Sequence, residues 1–213
     1  MNFKDIVKSL FADKAFNARH RLGAVNSINW ARILAQTVYY FLSYFHLRSQ
    51  LPTERSHEDI GLQYVVPTGN FGDVLAGYYA KKMGLPIGKL VIATNENDIL
   101  ARFWKNGRYE KVDPTSGLNS SGVKETHSPA MDILVSSNFE RLLWYLAFEN
   151  VDGVGGEEGK YEAVSKTVDG WMSRVKNDGR VEVPVGVLES ARKDFLAEKI
   201  SDELVSFVFC SSS

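Results

Sequence analysis

The residues Thr68-Gly69-Asn70-Phe71-Gly72-Asp73 stand between an apolar run at Val65-Val66 and a helix-like run from Val74 to Lys82. That order sets a glycine turn between a strand and a helix. Glycine lets the backbone approach a ligand closely and take positive φ. A helix start offers open N–H groups and the positive end of the helix dipole. Together these suit an anion, most often a phosphate. By spacing alone, the turn equally fits a tight strand-to-helix connection that holds nothing. No Lys-Ser or Lys-Thr follows Gly72, so this is not a P-loop. The third glycine is misplaced for the dinucleotide fingerprint.

The turn needs elements to position it. Asp5 to Phe16 carries Ile6, Leu10, Phe11 and Phe16 at helical spacing among charges, which predicts an amphipathic helix broken at Gly23. Asn26 or Ser27 can cap a long helix running to about Leu47. Apolar residues cover most of its circumference, so it is expected to pack on several sides. Its aromatics, Trp30, Tyr39, Tyr40, Phe41, Tyr44 and Phe45, read as core. A strand is expected over Leu62–Val66, a helix over Asp73–Met83, a strand over Lys89–Thr94 and a helix from Asn95–Asp98 to about Lys105. Strand–helix–strand–helix order argues for an α/β fold with a parallel sheet and flanking helices. Further helices are expected over Phe139–Glu149, capped by Ser137 or Asn138, and near Tyr161–Lys176 and Leu188–Lys199. Gly153 to Gly159 reads as a loop, and Phe207 to Ser213 as an edge strand or a ragged end.

Composition limits what the chain binds. Its 213 residues are 44% hydrophobic and carry a formal net charge of −1. That leaves no bulk electrostatic reason to bind nucleic acid or an anionic membrane surface. The longest apolar stretch, Ile33 to Leu47, falls short of the ~20 residues a membrane span needs. The N-terminus shows no signal core, and Cys210 is the only cysteine, which fits a reducing, cytoplasmic setting. His20, His46, His57 and His127 show no metal-ligand spacing; His46 reads as a partly buried structural residue.

Several segments carry a resemblance. Ala24 to Gln36, Val66 to Asp73, Ala93 to Asp98, Ser128 to Ile133 and Ser137 to Tyr145 resemble, in order, the motifs of threonine synthase, closest to its fungal and longer bacterial branch. The likeness covers roughly Asp5 to Glu203. It implies a pyridoxal 5'-phosphate enzyme with the tryptophan-synthase-β type of fold. Such an enzyme is a carbon–oxygen lyase that converts O-phosphohomoserine and water to threonine and phosphate. The resemblance assigns Gly69, Asn70, Phe71, Gly72 and the Asp73 backbone to the cofactor's phosphate, and Asn26, Ser27 and Arg32 to the substrate's phosphate. An amide and a hydroxyl at a helix start, with the donor fork of an arginine, suit phosphate oxygens. The same residues also fit plain capping and a surface ion pair.

The chain departs from the family's pattern at the catalytic lysine. Phe3-Lys4-Asp5 shares the letters around that lysine, but it runs straight into the substrate-site helix, whereas the family places a subdomain between the two. No catalytic residue is therefore assigned: the imine-forming lysine, and the C-terminal hydroxyl that meets the cofactor's ring nitrogen, are expected outside this chain. Residues 1–213 then read as the central, large-domain portion of such an enzyme. Missing strands would leave open sheet edges and an exposed core face, so self-association is expected. Two alternatives are a non-catalytic relative that binds phosphorylated small molecules or a partner chain, and another pyridoxal-phosphate enzyme of the same fold.

Overall fold

The computed structural model describes residues 3–23, 26–52, 60–112, 122–152 and 156–203. The tail 207–213, His57 and parts of the 107–127 and 153–159 segments lie outside the described residues, as does the Lys4 side chain. The helices are α1 (Phe3–Ala12), α2 (Lys14–His20), α3 (Trp30–Gln50), α4 (Gly72–Lys82), α5 (Ile99–Asn106), α6 (Phe139–Asn150), α7 (Gly156–Asn177) and α8 (Val185–Asp194). The strands are β1 (Val65–Pro67), β2 (Leu90–Thr94), β3 (Arg108–Glu110), β4 (Arg180–Glu182) and β5 (Phe195–Lys199).

The main sheet is parallel, in the order β1-β2-β5. Its central strand, Leu-Val-Ile-Ala-Thr, is buried along most of its length, as a parallel strand covered on both faces should be. All three strands run the same way, so their C-terminal ends share one edge. The glycine turn leaves β1 at that edge, where ligands of open α/β sheets sit. β3 and β4 form a separate antiparallel pair.

The α4 helix is the centre of the packing. Val74, Leu75, Ala76, Tyr78 and Ala80 are all nearly inaccessible. Close by, Phe71, Phe103, Trp104, Phe139 and Phe195 form an aromatic cluster, with Phe71 and Phe139 centroids 5.4 Å apart and Phe103 and Phe139 4.9 Å apart.

Several elements differ from the sequence expectation. The first helical segment is two helices, because the Asp13 carboxylate accepts from Phe16 N–H and starts α2. The α3 helix is capped by Asn29, whose side-chain oxygen accepts from Ala31 N–H at 2.9 Å, and not by Asn26 or Ser27. The expected helix over Leu188–Lys199 splits into α8 and β5. Phe-Leu-Ala-Glu-Lys has good helix formers, but pairing beside β2 overrides that preference.

The α3 helix is not packed all round. Its inner face buries Ile33, Tyr40 and Tyr44, while Trp30, Leu34, Val38, Tyr39, Leu42 and Phe45 are exposed. His46 is exposed too, beside Gln50.

Candidate functional site

The turn after β1 is held open by features that glycine alone does not explain. Neither Gly69 nor Gly72 takes positive φ; the residue that does is Phe71, at φ 65°. A non-glycine residue there costs about 1–2 kcal/mol. The Phe71 ring is buried against Trp104, Phe139 and Phe195. Each such pair contributes about 0.5–1.5 kcal/mol beyond area burial, enough to hold the strained residue in place. Gly69 is needed for space: a Cβ there would stand 2.8 Å from the Ala130 carbonyl oxygen.

Phe71 turns the chain into α4, and residues 67–74 line one cleft. Thr68 N–H still donates to Ala93 O at 2.8 Å, and Leu75 N–H to Phe71 O at 3.1 Å. Between them, the N–H groups of residues 69–74 have no acceptor among the described residues. Buried or half-buried backbone donors are almost always paired. A run of open ones at the start of an eleven-residue helix is an anion-binding arrangement. The cleft holds about 190 Å³ and is lined by Ser27, Arg32, Gln36, Ala130 and residues 67–74.

The structure therefore brings Ser27 and Arg32 to the glycine turn. Among the described residues, no carboxylate lies within ion-pair distance of Arg32, and its side chain is exposed at the cleft. Asn26 stands apart from the cleft lining; its side-chain oxygen accepts from Ile28 N–H at 3.1 Å. Gln36, one turn beyond Arg32, joins the lining without having been singled out in the sequence.

The residues that tie the two parts together were missed by sequence reasoning. Asn138 reads as a helix cap but makes no side-chain cap bond. Its fully buried amide donates instead to Asn70 O at 2.9 Å and to Ser27 O at 2.8 Å. Arg141 donates to the Asn138 side-chain oxygen and to Ile28 O. The Ser137 hydroxyl donates to the Asn70 side chain at 3.0 Å and shares a hydrogen bond with Ser27. Ser136 donates its hydroxyl to Gly69 O and its N–H to the Tyr109 hydroxyl, whose pKa burial pushes up to about 12.

A second network supports the other wall. Asp132 accepts from Thr126 N–H, from the Thr126 hydroxyl and from Asn95 Nδ2. These bonds, the Thr126 hydroxyl foremost, hold the Asp132 carboxyl below its usual range. They also fix the short 3₁₀ turn Pro129–Met131, which carries the Ala130 carbonyl against Gly69. Among the described residues no cluster of His, Cys, Asp or Glu could hold a metal ion, and no helix is long and apolar enough to cross a membrane.

A parallel sheet with flanking helices, with N–H groups at its C-terminal edge that have no acceptor among the described residues, defines an α/β protein. No protein-family profile matches the chain. Sequence relatives do. Threonine synthase of Schizosaccharomyces pombe is 53% identical over 204 residues, covering 94% of this chain and 37% of the relative. The crystal structure of threonine synthase from yeast superposes with a TM-score of 0.76 at 52% identity, over 93% of this chain and 35% of that one. Threonine synthase of Brucella melitensis, solved with PLP bound, matches with a TM-score of 0.73 at 39% identity, over 93% and 36%. The chain belongs to the threonine synthase family and spans about a third of the length of these relatives.

Proposed function

We infer that this chain supplies the phosphate-holding part of a threonine synthase, a pyridoxal-phosphate-dependent lyase of threonine biosynthesis acting on O-phosphohomoserine in the cytoplasm. The observation that carries this reading is the run of unpaired N–H groups at residues 69–74, sharing one cleft with Ser27 and Arg32. The residues present fit the phosphate end of the cofactor. The cleft volume of about 190 Å³ is below the several hundred cubic ångströms of a typical ligand pocket, so it suits one end of a larger molecule.

In this reading Gly69, Asn70, Phe71, Gly72 and Asp73 hold the cofactor's phosphate through backbone N–H groups. Ser27 and Arg32 receive the substrate's phosphate, with Asn26 next to Ser27 but outside the cleft lining. The cofactor, when bound, supplies an electron sink for carbanions next to its imine. This chain's part is positional: the Asn138 amide keeps the turn and residue 27 in register, and Arg32 adds a cation where phosphate charge gathers. In this reading the imine-forming lysine is supplied from outside residues 1–213.

Equilibrium dialysis against pyridoxal phosphate and against pyridoxal tests the site. The expected result is retention of the phosphorylated form only. Equal retention of both would remove the phosphate role. Assay with O-phosphohomoserine is expected to release no phosphate with the 213-residue chain alone; sustained release would put the catalytic lysine within it.

A further inference from the structure

Asp73 raises an electrostatic problem. It lies in the first turn of α4, lines the cleft, and carries a negative charge where a phosphate is to sit. A carboxylate a few ångströms from a phosphate dianion repels it. The structure gives that carboxylate a specific set of partners. The Tyr39 hydroxyl donates to its Oδ1, and the Tyr40 hydroxyl donates to the same oxygen and to Asp73 O, both at 3.0 Å. Both tyrosines are on α3, the helix that also carries Arg32 and Gln36 into the cleft.

The approach is built in by a glycine. A Cβ at Gly77, one helical turn beyond Asp73, would stand 2.8–2.9 Å from the Tyr40 ring. Only glycine lets that ring lie on α4 and reach Asp73. The Tyr40 backbone is held in turn by the Tyr64 hydroxyl, which donates to Tyr40 O at 3.0 Å. Burial and the Asp73 carboxylate push both Tyr39 and Tyr40 far above the usual tyrosine range, so both stay protonated and donate.

We propose that Tyr39 and Tyr40 are positioning residues that hold the Asp73 carboxylate on the α3 side, away from an anion bound at the N–H groups of residues 69–74. This rests on the reading of the turn as a phosphate site. The clamp leaves the Asp73 backbone free to donate while its side-chain charge is turned aside. It also locks the helix carrying Arg32 to the helix that starts at the glycine turn.

The test is titration of the chain with inorganic phosphate, followed by the amide shifts of Gly69 and Gly72. The Tyr39→Phe/Tyr40→Phe pair keeps both rings and removes both donors. It is expected to weaken phosphate binding about tenfold, as a freed unit charge near a dianion would. Adding Asp73→Asn to that pair is expected to restore wild-type affinity, which loss of helix packing alone would not allow. Asp73→Asn by itself, with both tyrosines in place, is expected to tighten binding about two- to threefold, and gives an answer even if the tyrosine pair does not fold. Wild-type affinity in the tyrosine pair, no recovery in the triple variant, or unchanged binding in Asp73→Asn would overturn the inference while leaving the phosphate site standing. Absence of any Gly69 or Gly72 shift in the wild-type chain would remove the phosphate site itself, and the clamp with it.

Discussion

The two walls of the cleft are built on opposite rules. On the wall made by residues 126–138 and the Asn95–Asn97 segment bonded to it, the buried side chains of Asn95, Asn97, Ser136 and Asn138 and the half-buried Asp132 are hydrogen-bonded within the protein. On the wall made by residues 69–74, consecutive backbone donors have no acceptor among the described residues. The paired wall is held by the protein's own bonds, whereas the unpaired wall offers the donors that the proposed phosphate would fill. Rigid support around an unsatisfied centre is what a preorganised binding site requires.

Breaking the paired wall is expected to have the largest effect. Asn138→Ala leaves Ser27 O without its buried donor, Asn70 O with the Asn138 N–H alone, and Arg141 without one acceptor. Losing buried partners of this kind costs about 1–3 kcal/mol each. Urea denaturation should show a loss of about 3 kcal/mol or more, with phosphate binding abolished. Wild-type stability would mean that Asn138 does not couple the two segments.

The glycines sharpen the contrast. Gly69→Ala drives a Cβ to 2.8 Å from the Ala130 carbonyl, so one wall must shift against the other. Overpacking of that kind costs about 1–3 kcal/mol, and phosphate affinity should fall at least tenfold. Gly72→Ala meets its nearest atom only at 3.5 Å and has no positive φ to oppose it, so thermal melting should move little. Equal destabilisation by both substitutions would contradict the close approach assigned to Gly69.

A smaller effect comes from pH. The Asp132 carboxyl is held below its unfolded range by Thr126 and Asn95. Its contribution is therefore complete above the unfolded carboxylate pKa and is lost as pH falls through the lower folded value. Amide protection factors of residues 126–132, which divide out the intrinsic pH dependence of exchange, should fall on acidification, and Asp132→Asn should flatten that dependence. An unchanged profile in the variant would assign the loop's stability elsewhere.

The smallest effect on stability is expected on the outer face of α3. Leu42 is 65% exposed and Leu34 is 55% exposed, in an apolar stripe that nothing described covers. Leu42→Lys should change stability by no more than about 0.5 kcal/mol. It should also reduce the self-association expected of such a stripe, as read by sedimentation. A monodisperse wild-type monomer would contradict that expectation.

The fold was legible where a local signal matched the long-range arrangement. The strand–turn–helix at residues 65–82 and the apolar run of β2 fall within a few residues of the expected positions. β5 was not legible, since Leu196, Ala197, Glu198 and Lys199 favour helix and only pairing with β2 makes them a strand. Polar residues near helix starts were read as local caps. Asn29 proved to be the cap of α3, and Asn138 a bridge to residues 68 and 111 positions away in sequence. The Phe71 backbone conformation was hidden for a related reason: glycine is the usual carrier of positive φ, and here a buried ring carries it.

The central claim is that the N–H groups of residues 69–74 are kept for a phosphate. An amide-resolved ¹H–¹⁵N spectrum, recorded on the chain with pyridoxal phosphate and again with pyridoxal, tests it most directly. The account predicts that Gly69, Asn70, Phe71, Gly72 and Asp73 shift together with pyridoxal phosphate and stay unmoved with pyridoxal. Shifts confined to surface lysines, or the same response to both compounds, would contradict it.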